Sequence, residues 1–317
     1  MLPPKDLASV GSVNKRWRWL ASQVWRKVES ANLVLGSGKS SEEKIRGSLQ
    51  SSPRLADLVI HNEGVLTKRT LSLIAEYSPY LRSLTITQGE RGRSTISGKD
   101  IQTLVRGLSL LKRLSVEGCE RATTLAIDSA NLETLCVYNA MRLEEVNLQC
   151  TRLEELCIHT PPSVYEERRS GSEDSCNLSS TGAMQLARQI GSACSTVRRL
   201  HLNIPSLTDR ALHEVLISCT TEVRCLSVTH SKHITDASIK EVATSCPHLD
   251  LLDLSGSRHI TDYALDMICV AYEFNLRHLL LAACPQLTCH GIQRAASKLQ
   301  AIELLDCGFT ITMQEPN

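Results

Sequence analysis

A chain of 317 residues can bury a large core, either as one elongated array or as two domains. A net charge of +1 with 22% charged side chains gives no electrostatic basis for a nucleic-acid or anionic-membrane partner. No apolar run approaches the ~20 residues that a membrane helix needs, and the start MLPPKDLASV lacks a secretory apolar stretch, so the 13 cysteines are expected as thiols in the cytoplasm or nucleus.

Residues 2–28 read LPPKDLASVGSVNKRWRWLASQVWRKV. Asp6, Leu7, Val10 and Val13 suggest a helix entered from Pro3-Pro4, and Lys15 to Leu20 a second, aromatic-rich one. All three tryptophans (Trp17, Trp19, Trp25) fall here, which marks residues 1–28 as a separate element. It can be a simple cap over the first core edge of a repeat array, or a motif with its own partner.

At Gly36 to Ser40 the run Gly-Ser-Gly-Lys-Ser suggests a phosphate loop, but that motif needs Gly where Leu33 stands. A repeat explains the stretch better. Leu33 and Leu35 form a strand, Gly36 to Ser40 its turn, and Glu42 to Leu49 a helix. The register continues with Leu55 to Ile60, a helix over Thr70 to Tyr77, and Leu81 to Ile86. A polar loop comes next at Gln88 to Ser97, then a helical stripe of Ile101, Leu104, Val105 and Leu108.

From Leu114 the rhythm shortens. Leu114, Leu125, Leu135, Val146 and Leu156 are separated by 11, 10, 11 and 10 residues, which leaves no room for a helix. The spacing predicts Leu114, Leu135 and Leu156 on an inner sheet and Leu125 and Val146 on outer strands. Residues 160–177, with two prolines and six charges, are expected as an exposed loop. The helix over Thr181 to Ala193 then resumes the longer repeat.

The second half is the most regular. VRRLHL, VRCLSV, LDLLDL, LRHLLL and LQAIEL each alternate with a helical half: LTDRALHEVLISC, ITDASIKEVATSC, ITDYALDMICVAY and LTCHGIQRAASKL. In these the Asp after Thr is read as a cap of its own helix. Self-similarity near 26 residues defines a solenoid over residues 29–310, with a tail at 311–317. The predicted fold class is α/β: eleven parallel inner strands centred on Leu33, Leu58, Leu84, Leu114, Leu135, Leu156, Leu200, Leu226, Leu252, Leu279 and Ile302, with helices outside.

Cys194, Cys219 and Cys246 recur with the repeat, no Cys-x-x-Cys pair occurs, and Cys284, Cys289 and His290 fall at a turn and helix start. These are read as small apolar residues rather than zinc ligands or catalytic thiols. Neither a metal nor a cofactor is expected, and no nucleophile, base and orienting group emerge, so the chain reads as a binding protein. The residue between the last two apolar positions of each strand faces away from the core. His201, Ser227, Asp253, Leu280 and Glu303 are therefore the candidate partner-binding residues.

The strand signature, the Ile-Thr-Asp helix starts and Cys246-Pro247-His248-Leu249 resemble the cysteine-containing leucine-rich repeat. The N-terminal pattern carried by Leu2, Pro4, Asp6, Leu7, Val13, Lys15, Arg16, Trp17, Leu20, Ala21 and Trp25 resembles the later part of an F-box. It departs at Asn14, where the family often has Cys, and the family's first helix is not matched before Leu2, so the resemblance is to an N-terminally truncated F-box. Together these features resemble the F-box/leucine-rich-repeat proteins. The resemblance implies a non-enzymatic substrate-recognition subunit of a cullin–RING ubiquitin ligase. Leu2, Pro4, Leu7, Val10, Val13, Trp17, Leu20 and Trp25 would meet a Skp-type adaptor, and the repeats a protein substrate destined for degradation. The alternative is a repeat scaffold without a ligase role.

Overall fold

The computed structural model describes residues 26–36, 41–160, 180–219 and 222–308. Strands come first in each repeat because Leu-x-Leu alternation puts every second side chain on one face. They are β1 (Ser30–Leu35), β2 (Asp57–Asn62), β3 (Val65–Leu66), β4 (Ser83–Gln88), β5 (Arg93–Ser94), β6 (Arg113–Val116), β7 (Thr124–Asp128), β8 (Thr134–Val137), β9 (Glu145–Gln149), β10 (Glu155–His159), β11 (Arg199–Asn203), β12 (Cys225–Val228), β13 (Leu251–Asp253), β14 (His278–Leu280) and β15 (Leu304–Asp306). Eleven of them form one parallel sheet in the order β1-β2-β4-β6-β8-β10-β11-β12-β13-β14-β15. Leu58, Leu84, Leu114, Leu135, Leu156, Leu200, Leu226, Leu252 and Leu279 stack in register through it, each at most 1% exposed.

The helices are α1 (Ser41–Ser51), α2 (Lys68–Tyr77), α3 (Gly98–Gly107), α4 (Ser180–Ala193), α5 (Asp209–Leu216), α6 (Asp236–Ser245), α7 (Asp262–Tyr272) and α8 (Cys289–Lys298). Their apolar stripes, such as Ala211, Leu212, Val215 and Leu216 of α5, close the core against the sheet. Tyr272 of α7 is wholly buried, and its hydroxyl donates to the Cys246 carbonyl at 3.0 Å, which satisfies its one polar atom.

Between α3 and α4 the outer layer is extended, as the short spacing predicts. Strands β7 and β9 pair in parallel with Leu125 opposite Val146, and pack on α3 and α4 respectively. The backbones approach so closely that a Cβ on Gly98, at the start of α3, would collide with the Thr124 carbonyl. The segment Gln88 to Ser97 is more ordered than a polar loop. Arg93–Ser94 pairs with Val65–Leu66, and the buried Asn62 side chain donates to the Arg93 carbonyl at 2.9 Å.

Two strand centres differ from the sequence reading. In β1 it is Ala31 that sits opposite Leu58, while Leu33 sits opposite Ile60. The face is right but the register is two residues off, because the strand's core position holds a small Ala and the larger leucines come after it. In the last strand Leu305, not Ile302, lies opposite Leu279. The spacing from Leu279 is then 26 rather than 23 residues, in step with the repeats before it.

The helix starts also differ. Thr, not Asp, is the N-cap: the Thr208 and Thr288 hydroxyls accept from the N–H groups of Ala211 and Gly291, and Thr235 and Thr261 from those of Ala237 and Tyr263. The Asp after each Thr reaches into the next repeat. Asp209 accepts from the Thr235 N–H at 2.8 Å and its hydroxyl at 2.7 Å; Asp236 does the same for Thr261 at 2.8 and 2.6 Å, and Asp262 for Thr288 at 2.9 and 2.5 Å. The Thr-Asp pair thus staples one repeat to the next, and it ends at Thr288, where Cys289 replaces Asp.

Candidate functional site

Parallel sheets are usually covered on both faces. Here the helices and outer strands pack on one face, and the alternate side chains line the other. In β11, for example, Leu200 and Leu202 are in the core, while Arg199, His201 and Asn203 are half-buried on the open side. The register places Val59, Thr85, Ser115, Cys136, Cys157, His201, Ser227, Asp253, Leu280 and Asp306 in one row across the sheet.

Four of the five partner-binding residues expected from sequence, His201, Ser227, Asp253 and Leu280, stand in that row on consecutive strands. Glu303 does not. It precedes β15, is exposed, and pairs with Arg277 at 3.4 Å. Asp306 takes the expected place opposite Leu280. This comes from the corrected register of the last strand. The expected adaptor residues Leu2, Pro4, Leu7, Val10, Val13, Trp17, Leu20 and Trp25, and residues 161–177 of the expected loop, lie outside the described residues.

Most charges on the open face are held by neighbours. Arg199 donates to Glu155 at 3.1 Å, Arg113 to Asp57 at 3.4 Å, and Ser227 to Asp253 at 3.1 Å. Glu117 accepts from the Gln88 N–H at 2.8 Å and Asn139 at 3.4 Å. Burial holds His159 and His201 below the ordinary imidazole range, so both are neutral near pH 7. The central face is therefore polar, with ion pairs, neutral imidazoles and the carboxylates of Glu117 and Asp253 side by side, and toward β15 the apolar Leu251, Leu280 and half-exposed Leu304 stand among Asp253 and Asp306. Such a surface suits a protein partner read by hydrogen bonds, apolar contact and a few carboxylates.

Sequence reasoning stopped at the regular half and missed the middle of this face. Cys136, Tyr138, Cys157 and His159 meet there, with the Tyr138 and His159 rings edge-to-face at 6.1 Å. The only available signal was the strand register of the shortened repeats, which places Cys136 and Cys157 between core positions. Of the cysteines read as small buried residues, Cys194, Cys246 and Cys284 are fully buried, and burial pushes the Cys246 thiol up to about 12 and that of Cys284 to about 11, whereas Cys219 is half-buried and Cys289 is exposed. Among the described residues no group of three or more metal-ligating side chains occurs. Among them, too, no helix is long and apolar enough to cross a membrane.

No family model matches the sequence. The chain is 31% identical over 320 residues, covering all of its length, to F-box/LRR-repeat protein 17 of Arabidopsis thaliana. It spans 50% of that relative's own length. Among solved structures, a chain of the crystal structure of the Rad7 and Elc1 complex in yeast is similar with a TM-score of 0.54. That match is 16% identical and covers 96% of this chain and 77% of the other, a likeness of fold.

Proposed function

The chain belongs to the F-box/leucine-rich-repeat proteins, and we propose that it is a substrate-recognition subunit of a cullin–RING ubiquitin ligase. In this reading residues 1–28 engage a Skp-type adaptor through Leu7, Val10, Val13, Trp17, Leu20 and Trp25. The open face of the sheet captures the protein to be ubiquitinated, and the chain presents that protein rather than performing chemistry on it. The full-length similarity carries the reading. The structural neighbour fits it, since that crystal structure is of a two-protein complex. The open parallel sheet supports the capture role independently of the ligase.

The test is a pull-down of purified Skp-type adaptor by the native chain. Binding is expected, with a loss of about tenfold or more on Trp17→Ala, as for a buried aromatic anchor. A folded chain that fails to hold the adaptor, yet captures other proteins through the repeats, would instead be a scaffold without a ligase role. Capture itself is tested by reversing Asp253 and Asp306, two strands apart on the open face, to arginine. Capture is expected to weaken with the circular dichroism unchanged; undiminished capture would remove this end of the face from the binding surface.

A further inference from the structure

Cys136 and Cys157 are in-register neighbours on the adjacent strands β8 and β10. Parallel strands place such Cα atoms about 4.8 Å apart, inside the ~4.4–6.8 Å that a disulfide spans. Alternation sends both side chains to the open face. The flanking Leu135, Val137, Leu156 and Ile158 are 0% exposed and fill the core, while Cys136 and Cys157 keep 8% and 9% exposure. These two thiols are therefore not core-filling residues like those of the turns. They lie in the middle of the face, beside Tyr138, His159, His201 and the Glu155–Arg199 pair.

The surroundings make the two sulfurs unequal. The neighbouring Cys136 thiol, and after it the Tyr138 hydroxyl, hold the Cys157 thiol below the ordinary range, against the opposing effect of burial. Cys136 is pushed up, first by the same contact with Cys157 and then by burial. A thiolate is the reactive form, so Cys157 is the attacking sulfur and Cys136 the resolving one.

We propose that Cys136 and Cys157 form a two-electron redox site on the open face, oxidised by hydroperoxides. The Cys157 thiolate attacks the distal peroxide oxygen, the O–O bond breaks, and the leaving alkoxide or hydroxide takes up a proton. Cys157 is then a sulfenic acid. The Cys136 sulfur attacks it, the S–S bond forms, the S–O bond breaks, and the hydroxyl leaves as water with the Cys136 proton. Two thiols and one hydroperoxide give one disulfide, one water and one alcohol, or a second water when the oxidant is hydrogen peroxide. A partner lying across β8 and β10 would meet two thiol donors in one state and a bridging disulfide in the other.

The experiment treats the native chain with one equivalent of hydrogen peroxide, blocks the remaining thiols and maps the unreduced digest by mass spectrometry. A peptide linking Cys136 to Cys157 is expected as the main product. In Cys136→Ser, Cys157 should accumulate as a sulfenic acid that dimedone traps; in Cys157→Ser, Cys136 should stay a free thiol. The proposal is overturned if both residues are recovered as free thiols while the exposed Cys289 is oxidised, or if they link to other cysteines. Circular dichroism checks both variants, and the wild-type map alone decides should either misfold.

Discussion

Replacing Asp236 by alanine tests whether the repeats are stapled by the Thr-Asp pairs. The Asp236 carboxylate accepts two bonds from Thr261, from the backbone N–H at 2.8 Å and from the hydroxyl at 2.6 Å. Removing one partner of a bond to a charged group costs about 1.5–3 kcal/mol when the other is left buried. Both residues are half-exposed, so water recovers part of each bond, and one full loss stands for the pair. Loss of the acidic group in the first turn of α6 adds about 0.3–1 kcal/mol. The expected destabilisation is thus about 2–4 kcal/mol, read from urea unfolding followed by circular dichroism. Thr261→Ala alone removes the N-cap of α7 and should cost ~1 kcal/mol. Because the two residues share the bonds, the double variant should fall short of the sum of the singles by at least about 0.5 kcal/mol. A loss under ~0.5 kcal/mol for Asp236→Ala, or strict additivity with Thr261→Ala, would refute the staple and leave Thr261 as a purely local cap.

Burial sets two further outcomes. Leu252 is 0% exposed, between Leu226 and Leu279, so Leu252→Ala should cost about 2–5 kcal/mol; a loss under ~1 kcal/mol in denaturant titration would contradict its place in the core. Burial lowers His159 and His201 below their ordinary 6.5, so below that pH the unfolded chain binds more protons than the native one. Stability from these two groups is complete above ~6.5 and declines as the pH falls through that value. The acid-side decline should be shallower in a His159→Gln, His201→Gln variant, and an unchanged slope would show that neither imidazole is desolvated in the native state.

The repeat was legible wherever its largest residues occupy its core positions. Leucines at 200, 226, 252 and 279 announce both strand and face, and the short spacing around Leu125 and Val146 announces outer strands, because ten residues cannot hold a helix and two turns. The register slipped at the two ends of the sheet. At β1 an alanine fills the core position, and at β15 Ile302 and Leu304 offer a plausible Leu-x-Leu reading one turn early. An edge strand lacks a neighbour on one side, so composition alone ranks the alternatives poorly. The slip carried Glu303 into the candidate site in place of Asp306. The direction in which Asp209, Asp236 and Asp262 point was hidden for a different reason: both a local cap and a bridge to the next repeat need a carboxylate at the same position. The Cys136 and Cys157 pairing depends on the alignment of strands 21 residues apart, in a stretch where the repeat length had just changed.

The replacement of helices by β7 and β9 also sets how the protein bends. Packed helices stand about 8–10 Å apart, whereas paired strands stand about 4.8 Å apart. Where helices back the sheet, each repeat is a wedge, wider outside than inside, and successive wedges turn the stack. At the step from β7 to β9 the outer layer is as narrow as the inner one, so the wedge vanishes there and the stack turns less. The bend of the open face is then uneven, and a rigid partner shaped to the helix-backed repeats fits less well across β8 and β10. That less curved step, beside Cys136 and Cys157, is where two parts of one partner would change direction.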